Sequence, residues 1–109
     1  YTGNGNADGT FVYTGFKPAF VMIKRTDTGD NWLIKDIKRD PINQMEKRIF
    51  PNLSNAEDTG SGGNYDFLSN GFKLRESDAI GNASGGTYIY MAFAEAPLVG
   101  TNNVPCTAR

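Results

Sequence analysis

The sequence predicts an all-β protein, specifically an antiparallel β-sandwich of the jelly-roll or lectin-like type. Short runs of β-branched and aromatic residues recur along the 109-residue chain, and its 13 glycines fall mostly between these runs. Turn signals follow one another at intervals of about ten residues, which is typical of sandwiches and barrels. No stretch keeps a helical periodicity of apolar residues beyond a few turns.

The first half of the chain carries three predicted strands. Residues 11–16 form the first, and Pro18 marks the start or edge of the next because proline has no backbone N–H. Residues 20–24 are β-branched and aromatic, which favours a strand. A turn over 27–31 connects this strand to 32–36, so that the two are expected to form a hairpin. The segment that follows is irregular, with one helical turn expected over 44–48.

The second half begins with a glycine-rich segment, 55–64, that we expect to be a mobile surface loop. Residues 65–75 carry a hairpin signal, because Asn70 and Gly71 are the preferred pair for a tight turn with positive φ. The strongest strand signal covers 87–95. Both of its alternating faces are apolar, which predicts a central strand.

Period-two alternation also predicts the core. Its expected members are Phe20, Met22, Trp32, Ile34, Phe72, Leu74, Ile89, Met91 and Phe93. A chain of this length suits a single domain over 1–109, with an irregular polar tail at 98–109. Since the first residue is Tyr1 and not methionine, we expect the domain to be the C-terminal part of a longer chain.

The charge balance argues against a nucleic-acid partner. Eleven basic residues oppose twelve acidic ones, so the net charge is −1 and no broad positive field is present. No apolar run is long enough to span a bilayer, and no membrane insertion is expected. The single cysteine, Cys106, excludes an intramolecular disulfide and a cysteine-based zinc site. Neither a metal nor a cofactor is predicted.

The chain has no histidine, which removes the commonest general base and excludes Ser-His-Asp and Cys-His arrangements within one chain. Carboxylate pairs remain as candidates for glycosidase-like chemistry. These pairs are Asp27 and Asp30, Asp36 and Asp40, Glu57 and Asp58, and Glu76 and Asp78. Most lie in turns, where an aspartate accepts hydrogen bonds from nearby backbone amides. Turn chemistry is therefore favoured, no enzyme is predicted, and Asp36 is expected to pair with Arg39.

Tyr65 is the candidate for a ligand contact, together with its neighbours Asn64 and Asp66. An exposed tyrosine among polar side chains can stack on a sugar ring and bond its hydroxyls. The alternative is a tyrosine that borders the core, which the small size of the domain favours.

Several segments, taken in order, resemble a domain that recurs in the virion proteins of tailed phages. Residues 15–18 and 20–24 are similar to a GF-x-P-x-x-V-x-IK run of that domain. Further matches are 34–36 with Arg39, 53–57, 67–74 and 82–93. The usual tryptophan-rich final strand is here Tyr-Met-Ala-Phe at 90–93, a departure from the pattern.

The resemblance implies a component of the phage virion, and it carries over no ligand-contacting residue. The first hypothesis is a tail-fibre or receptor-binding domain whose loops contact a host-surface glycan. The alternative is a capsid-decoration or tail-assembly structural protein without a ligand. A polysaccharide-degrading enzyme is a third hypothesis, which lacks a positioned acid and base.

Virion parts act as symmetric copies, so we expect a homo-oligomer, a trimer if the domain is a fibre tip, in contact with other virion proteins. The tail is expected to bridge neighbouring subunits through its apolar residues. These are Leu98, Val99, Val104 and Pro105.

Overall fold

The structure is a computed structural model that describes residues 1–97, and these form an all-β, antiparallel protein. The all-β class is thereby confirmed, while the jelly-roll or lectin-like subtype stays a prediction. The strands are β1 (Phe11–Tyr13), β2 (Phe16–Arg25), β3 (Leu33–Asp36), β4 (Lys47–Arg48), β5 (Asp58–Thr59), β6 (Tyr65–Leu68), β7 (Gly71–Leu74) and β8 (Tyr88–Pro97). The expectations for the tail at 98–109, including Cys106, lie outside the described residues.

Two three-stranded sheets contain most of the strands. The first sheet has the order β1-β7-β6 and the second the order β3-β2-β8, while β4 and β5 form a short two-stranded ribbon. Every pair is antiparallel. Both predicted hairpins are confirmed, since β2 pairs with β3 and β6 pairs with β7. The prediction that 87–95 is a central strand is wrong, because β2 is central and β8 lies beside it at the edge of the sheet.

The β6–β7 turn differs from its prediction by one residue. Leu68 pairs with Gly71, so the two turn residues are Ser69 and Asn70, and Gly71 is the first residue of β7. Gly71 is not among the glycines with positive φ. A Cβ added there would overlap the carbonyl oxygen of Val12 on β1. Glycine is therefore needed for a close approach of two strands and not for the turn conformation.

The two sheets share one hydrophobic core. Its buried members include Val12, Phe67, Phe72 and Leu74 from the first sheet and Val21, Ile23, Leu33 and Tyr88 from the second. Tyr65 on β6 joins the sheets directly, because its hydroxyl donates to the carbonyl oxygen of Val21 on β2 at 3.2 Å. The predicted burial of Phe72 and Leu74 is confirmed.

In the second sheet the predicted core face is the wrong one. Ile89, Met91 and Phe93 of β8 are exposed at 53%, 51% and 58% of their surface. The other residues predicted for the core of this sheet are only partly buried, namely Phe20, Met22, Trp32 and Ile34. Both alternating sets of these strands are apolar, so a period of two cannot tell which set faces inward.

The structure also differs from the predictions for two segments, 44–48 and 55–64. Residues 44–48 form no helical turn, since 47–48 belong to β4. The loop over 55–64 is exposed at 55–59, but Gly62 and Gly63 are buried with φ of 105° and 71°. The backbone N–H groups of these two glycines donate to the carboxylates of Glu76 and Asp78. The end of the loop is thus attached to the segment that follows β7.

Candidate functional site

The outward side of the second sheet is apolar and exposed. Ile89, Met91 and Phe93 alternate along β8, and the cross-strand partners of the last two are Met22 and Phe20 on β2. The rings of Phe20 and Phe93 meet edge to face with their centroids 5.6 Å apart. We call the following set the outer face: Phe20, Met22, Ile34, Ile89, Met91 and Phe93.

Antiparallel sheets with one solvated side normally carry polar residues there. Ile89, Met91 and Phe93 alone expose on the order of 300 Å² of mostly apolar surface. A contiguous patch of roughly 300–600 Å² is the largest that a typical monomer presents, and such patches are often functional. The outer face is therefore the first candidate for contact with another molecule.

Charged residues lie at both ends of the outer face. Lys24 follows Met22 on the same side of β2 and pairs across the ladder with Ile89. At the other end, Lys17 and Glu95 form an ion pair with an N–O distance of 3.0 Å. One strand end thus carries a lysine that is in none of the ion pairs of residues 1–97, and the other carries an ion pair whose carboxylate, Glu95, is still 37% exposed.

A shallow depression borders the outer face. It has a volume of about 290 Å³ and is lined by Met22, Trp32, Pro51 and Asn52. The Asn52 side chain accepts a hydrogen bond from the Trp32 backbone N–H at 3.0 Å and donates to the Asn31 side chain at 2.9 Å. The depression thus places a tryptophan beside an ordered amide.

The structure does not bring Asn64, Tyr65 and Asp66 to the surface as a ligand site. Tyr65 is fully buried, and its ring packs against Phe67 and Phe72 at centroid distances of 5.6 and 5.5 Å. Burial raises the pKa of the Tyr65 hydroxyl well above its ordinary value. Asn64 is only 6% exposed. The hypothesis of an exposed Tyr65 that contacts a ligand is wrong, and the favoured alternative of a tyrosine at the core is confirmed, because Tyr65 shares the inward side of β6 with Phe67.

Asp66 points the other way and pairs with Arg75 on the neighbouring segment, with an N–O distance of 3.5 Å. Of the other tyrosines near turns, Tyr1 stacks on Tyr88 at a centroid distance of 4.9 Å. Tyr13 on β1 is 62% exposed. The sequence gives no signal that separates these environments, because all three tyrosines lie beside turn residues.

Several carboxylates accept hydrogen bonds from backbone N–H groups, as the turn interpretation predicts, while Asp27, Glu57 and Asp58 pair with arginines. Asp78 accepts hydrogen bonds from the backbone N–H groups of Gly63, Ile80 and Gly81 at 2.8 to 3.2 Å. Asp36 accepts from the Arg39 guanidinium at 2.5 Å, which confirms the predicted pair. Across residues 1–97, no group of three or more His, Cys, Asp or Glu side chains is placed to hold a metal ion.

The open cleft next to Asp78 has a volume of about 360 Å³ and includes Arg75 and Glu76 in its lining. Glu76 accepts from the Gly62 backbone and from the Asn64 side chain. The acids of this cleft are therefore already engaged within the fold.

Lys35 is a candidate that the sequence analysis missed. It alternates with Leu33 and Ile37 along and just beyond β3, and all three side chains are buried. This position in an apolar alternation is the one sequence signal that marks Lys35 as unusual. Its ammonium group donates to the backbone carbonyl of Met45 and to the side-chain oxygen of Asn64.

Comparison with known proteins identifies a family for this chain. Residues 1–97 match the family described as Domain of unknown function (DUF7483). No curated protein and no solved structure matches the chain. In the described part of the chain, no helix has the length and apolar character needed to cross a membrane.

Proposed function

Since the chain belongs to the DUF7483 family, whose function is unknown, we propose a function from its surface: the domain is a structural part of a larger assembly, and its outer face packs against a second copy of the chain. The observation that carries this proposal is the exposure of Ile89, Met91 and Phe93 side by side on one strand. Burying such a surface is favourable by about 25 cal/mol per Å² of apolar area.

A second copy is the occupant that the charges favour. Two copies can pack these sheets face to face about a two-fold axis that lies between them, perpendicular to the strands. The strands of the two copies then run in opposite directions, so each end of a strand lies over the other end of the partner's strand. Lys24 of one copy then approaches Glu95 of the other, and the apolar residues between them meet in the centre. This arrangement favours a two-fold pair over the trimer expected for a fibre tip.

The area of the outer face sets the strength of this pair. With the half-buried neighbours Phe20, Met22 and Ile34 included, each copy contributes on the order of 500 Å². The total of roughly 1,000 Å² is at the lower limit for specific interfaces, where weak and reversible association is common. The proposed contact therefore acts where many copies are held close together, as in a virion.

The test is sedimentation velocity over a wide concentration range. We expect a reversible monomer–dimer equilibrium that Met91→Lys abolishes, because a lysine would be desolvated at the centre of the interface. Tyr13→Lys is the matched control, since Tyr13 is also more than half exposed but lies on the first sheet. A wild-type chain that remains monomeric at millimolar concentration, or a dimer that Met91→Lys leaves intact, contradicts self-association through the outer face.

Localisation in a phage virion is part of the proposal. The resemblance to tailed-phage virion proteins over segments such as 15–24 and 67–74 supports it. Electron microscopy of particles labelled through this domain tests it, and we expect label at regular positions on the shell or tail. Label only on free protein would place the domain outside the virion.

The depression beside Trp32 supports a second candidate function, recognition of a host-surface glycan. An aromatic ring next to an amide is a combination that stacks on a sugar and bonds its hydroxyls. A glycan array tests this with Trp32→Ala as the comparison. We expect selective binding by the wild type that the variant loses, whereas uniform absence of binding excludes this candidate.

A further inference from the structure

Lys35 is fully buried, yet among the ion pairs of residues 1–97 none includes it. Its Nζ donates to the Met45 carbonyl at 2.7 Å and to Asn64 Oδ1 at 3.0 Å, both neutral oxygens. A charged ammonium without a carboxylate partner is costly in such a place. The arrangement instead suits a lysine that acts as a neutral amine.

The β6–β7 hairpin places an amide and a carboxyl group in front of this amine. Asn64 immediately precedes β6, and its backbone oxygen accepts from the Arg75 N–H at 2.8 Å, which extends the ladder by one step. Asn64 Nδ2 donates to Glu76 Oε1 at 2.8 Å. The three side chains therefore form a hydrogen-bonded series, in which the Asn64 amide oxygen faces Lys35 and the Asn64 amide nitrogen faces Glu76.

Lys35 and Asn64 are buried beside an aromatic ring, whereas Glu76 borders the open cleft. Met45, Tyr65 and Phe67 are fully buried, and the ring centroid of Tyr65 lies 5.5 Å from Lys35 Nζ. Burial lowers the pKa of Lys35 from 10.5 to about 8, so about a tenth of the amine is neutral and nucleophilic at pH 7, far more than for an exposed lysine. The same burial keeps water away from the amide.

We propose that Lys35 and Asn64 form an intramolecular isopeptide bond, with Glu76 as the catalytic residue that transfers the proton. The amine nitrogen of Lys35 attacks Cγ of Asn64, and the new C–N bond replaces the bond from Cγ to Nδ2. The Glu76 carboxylate takes the proton that the attacking amine releases and passes it to Nδ2, which leaves as ammonia. Amine and amide thus become a secondary amide plus ammonia, and the carboxylate is regenerated without any oxidant or cofactor.

The distances suit this reaction. Cγ lies one carbonyl bond, about 1.2 Å, from the oxygen that Lys35 already contacts. Nζ is therefore at most about 4.2 Å from Cγ, and attack requires the two atoms to come within about 3–3.5 Å. Glu76 already contacts the leaving nitrogen, and its other oxygen is held by the Gly62 N–H. The carboxylate is therefore fixed at the place where the proton must be delivered.

The bond would tie β3 of the second sheet to the first residue before β6 of the first sheet. It cross-links the two layers of one subunit, and it is independent of whether the outer face pairs with a second copy. Such a link keeps the domain connected under force or proteolysis.

Mass spectrometry of the folded, purified chain tests the proposal. We expect an intact mass lower than the sequence mass by one ammonia molecule. Trypsin should then give a branched peptide in which 26–38 is joined to 49–73, because cleavage after the modified Lys35 is blocked. A folded chain that keeps its full sequence mass after prolonged incubation overturns the proposal. So does an ammonia loss confined to an unbranched 49–73 peptide, which would be a succinimide at one of its asparagines, such as Asn70 before Gly71.

Variants test the assigned roles. Lys35→Met removes the nucleophile and should abolish the branched peptide, whereas Lys38→Met, which changes an exposed lysine on the same segment, should leave the ammonia loss intact. Glu76→Gln keeps an oxygen to accept from Asn64 but cannot shuttle the proton, so we expect bond formation to slow by on the order of 100-fold. Circular dichroism confirms that each variant is folded. An unchanged rate in folded Glu76→Gln would overturn the role of Glu76.

Discussion

At the scale of single residues, Gly71 shows that one side chain can be excluded by a neighbouring strand. A Cβ at this position would overlap the Val12 carbonyl oxygen, which is backbone and cannot move aside without breaking the β1–β7 pairing. Gly71→Val should therefore destabilise the domain by about 1–3 kcal/mol, the usual cost of overpacking. Urea denaturation measures this loss.

Gly29→Ala is the matched control for this prediction. Nothing lies within 4 Å of a Cβ added at Gly29, and its φ is not in the left-handed region. We expect no loss of stability in this variant. Equal stability of Gly71→Val and the wild type would show that β1 and β7 approach less closely than described.

Lys35 leads to a pH-dependent prediction. A lowered pKa means that the reactive neutral amine is scarce below about pH 8 and predominates above it. The rate of isopeptide formation should rise about tenfold per pH unit from pH 6 to 7 and level off above pH 8. Chain refolded from inclusion bodies at a series of pH values, followed by intact mass, measures this rate. A rate that does not change between pH 6 and 8 contradicts a neutral Lys35 nucleophile.

Four charged groups modify this pKa besides burial, which is its largest cause. Asp40 and Glu76 raise the pKa of Lys35, whereas Arg48 and Arg39 lower it. Because these groups act in opposite directions, desolvation determines the direction of the shift. Removing the charge of Asp40, Arg39 or Arg48, none of which takes part in the reaction, should therefore displace the pH profile without reversing it.

Sequence reasoning finds residues such as Asp36 and Asp78 because their role is local. Each accepts hydrogen bonds from backbone groups a few residues away, and turn composition records that role. The hydrogen-bonded series of Lys35, Asn64 and Glu76 could not be found in this way. Its members are separated by 29 and 12 positions in the sequence. The β6–β7 hairpin brings Asn64 and Glu76 together, and the packing of the two sheets brings Lys35 to them.

At the scale of strands, the sequence predicts the existence of the elements well and their orientation poorly. Residues 20–24, 32–36, 65–75 and 87–95 all fall in or around observed strands, because β-branched and aromatic runs between turn residues favour strands. The prediction of which side of β2, β3 and β8 faces the core is wrong. The true inward set includes Lys35 and Tyr88, while the outward set is the more hydrophobic one on β8.

Truncating a side chain on the inward side of a strand should lower the free energy of unfolding more than truncating one on the outward side. Phe67→Ala removes a fully buried ring and should destabilise the domain by about 3–5 kcal/mol. Phe93→Ala removes a ring that is 58% exposed and should cost less than about 1 kcal/mol. Thermal unfolding at low protein concentration, where self-association is absent, compares them. A loss for Phe93→Ala as large as that for Phe67→Ala would show that β8 faces the opposite way.

At the scale of the whole molecule, the sheet order depends on contacts between distant parts of the chain. The first residue pairs with the last strand, since the Tyr1 and Tyr88 backbones exchange hydrogen bonds at 2.9 Å in both directions. The central position of β2 arises from pairing with both β3 and β8. Local turn signals carry no information about such pairings, so the sequence predicted a sheet structure but placed the wrong strand at its centre.

The proposed bond adds a covalent connection to this arrangement and closes a loop from Lys35 to Asn64. A cross-link stabilises a fold by restricting its unfolded chain, and for a loop of about 30 residues the expected gain is roughly 3–4 kcal/mol. Reacted and unreacted molecules of the same wild-type sequence provide the comparison, since both keep every other side chain. We expect the reacted form to unfold at higher urea concentration and to migrate faster in denaturing gels, because its unfolded state is more compact. Identical urea midpoints for the two forms would mean that the link strains the native packing by as much as it restricts the unfolded chain.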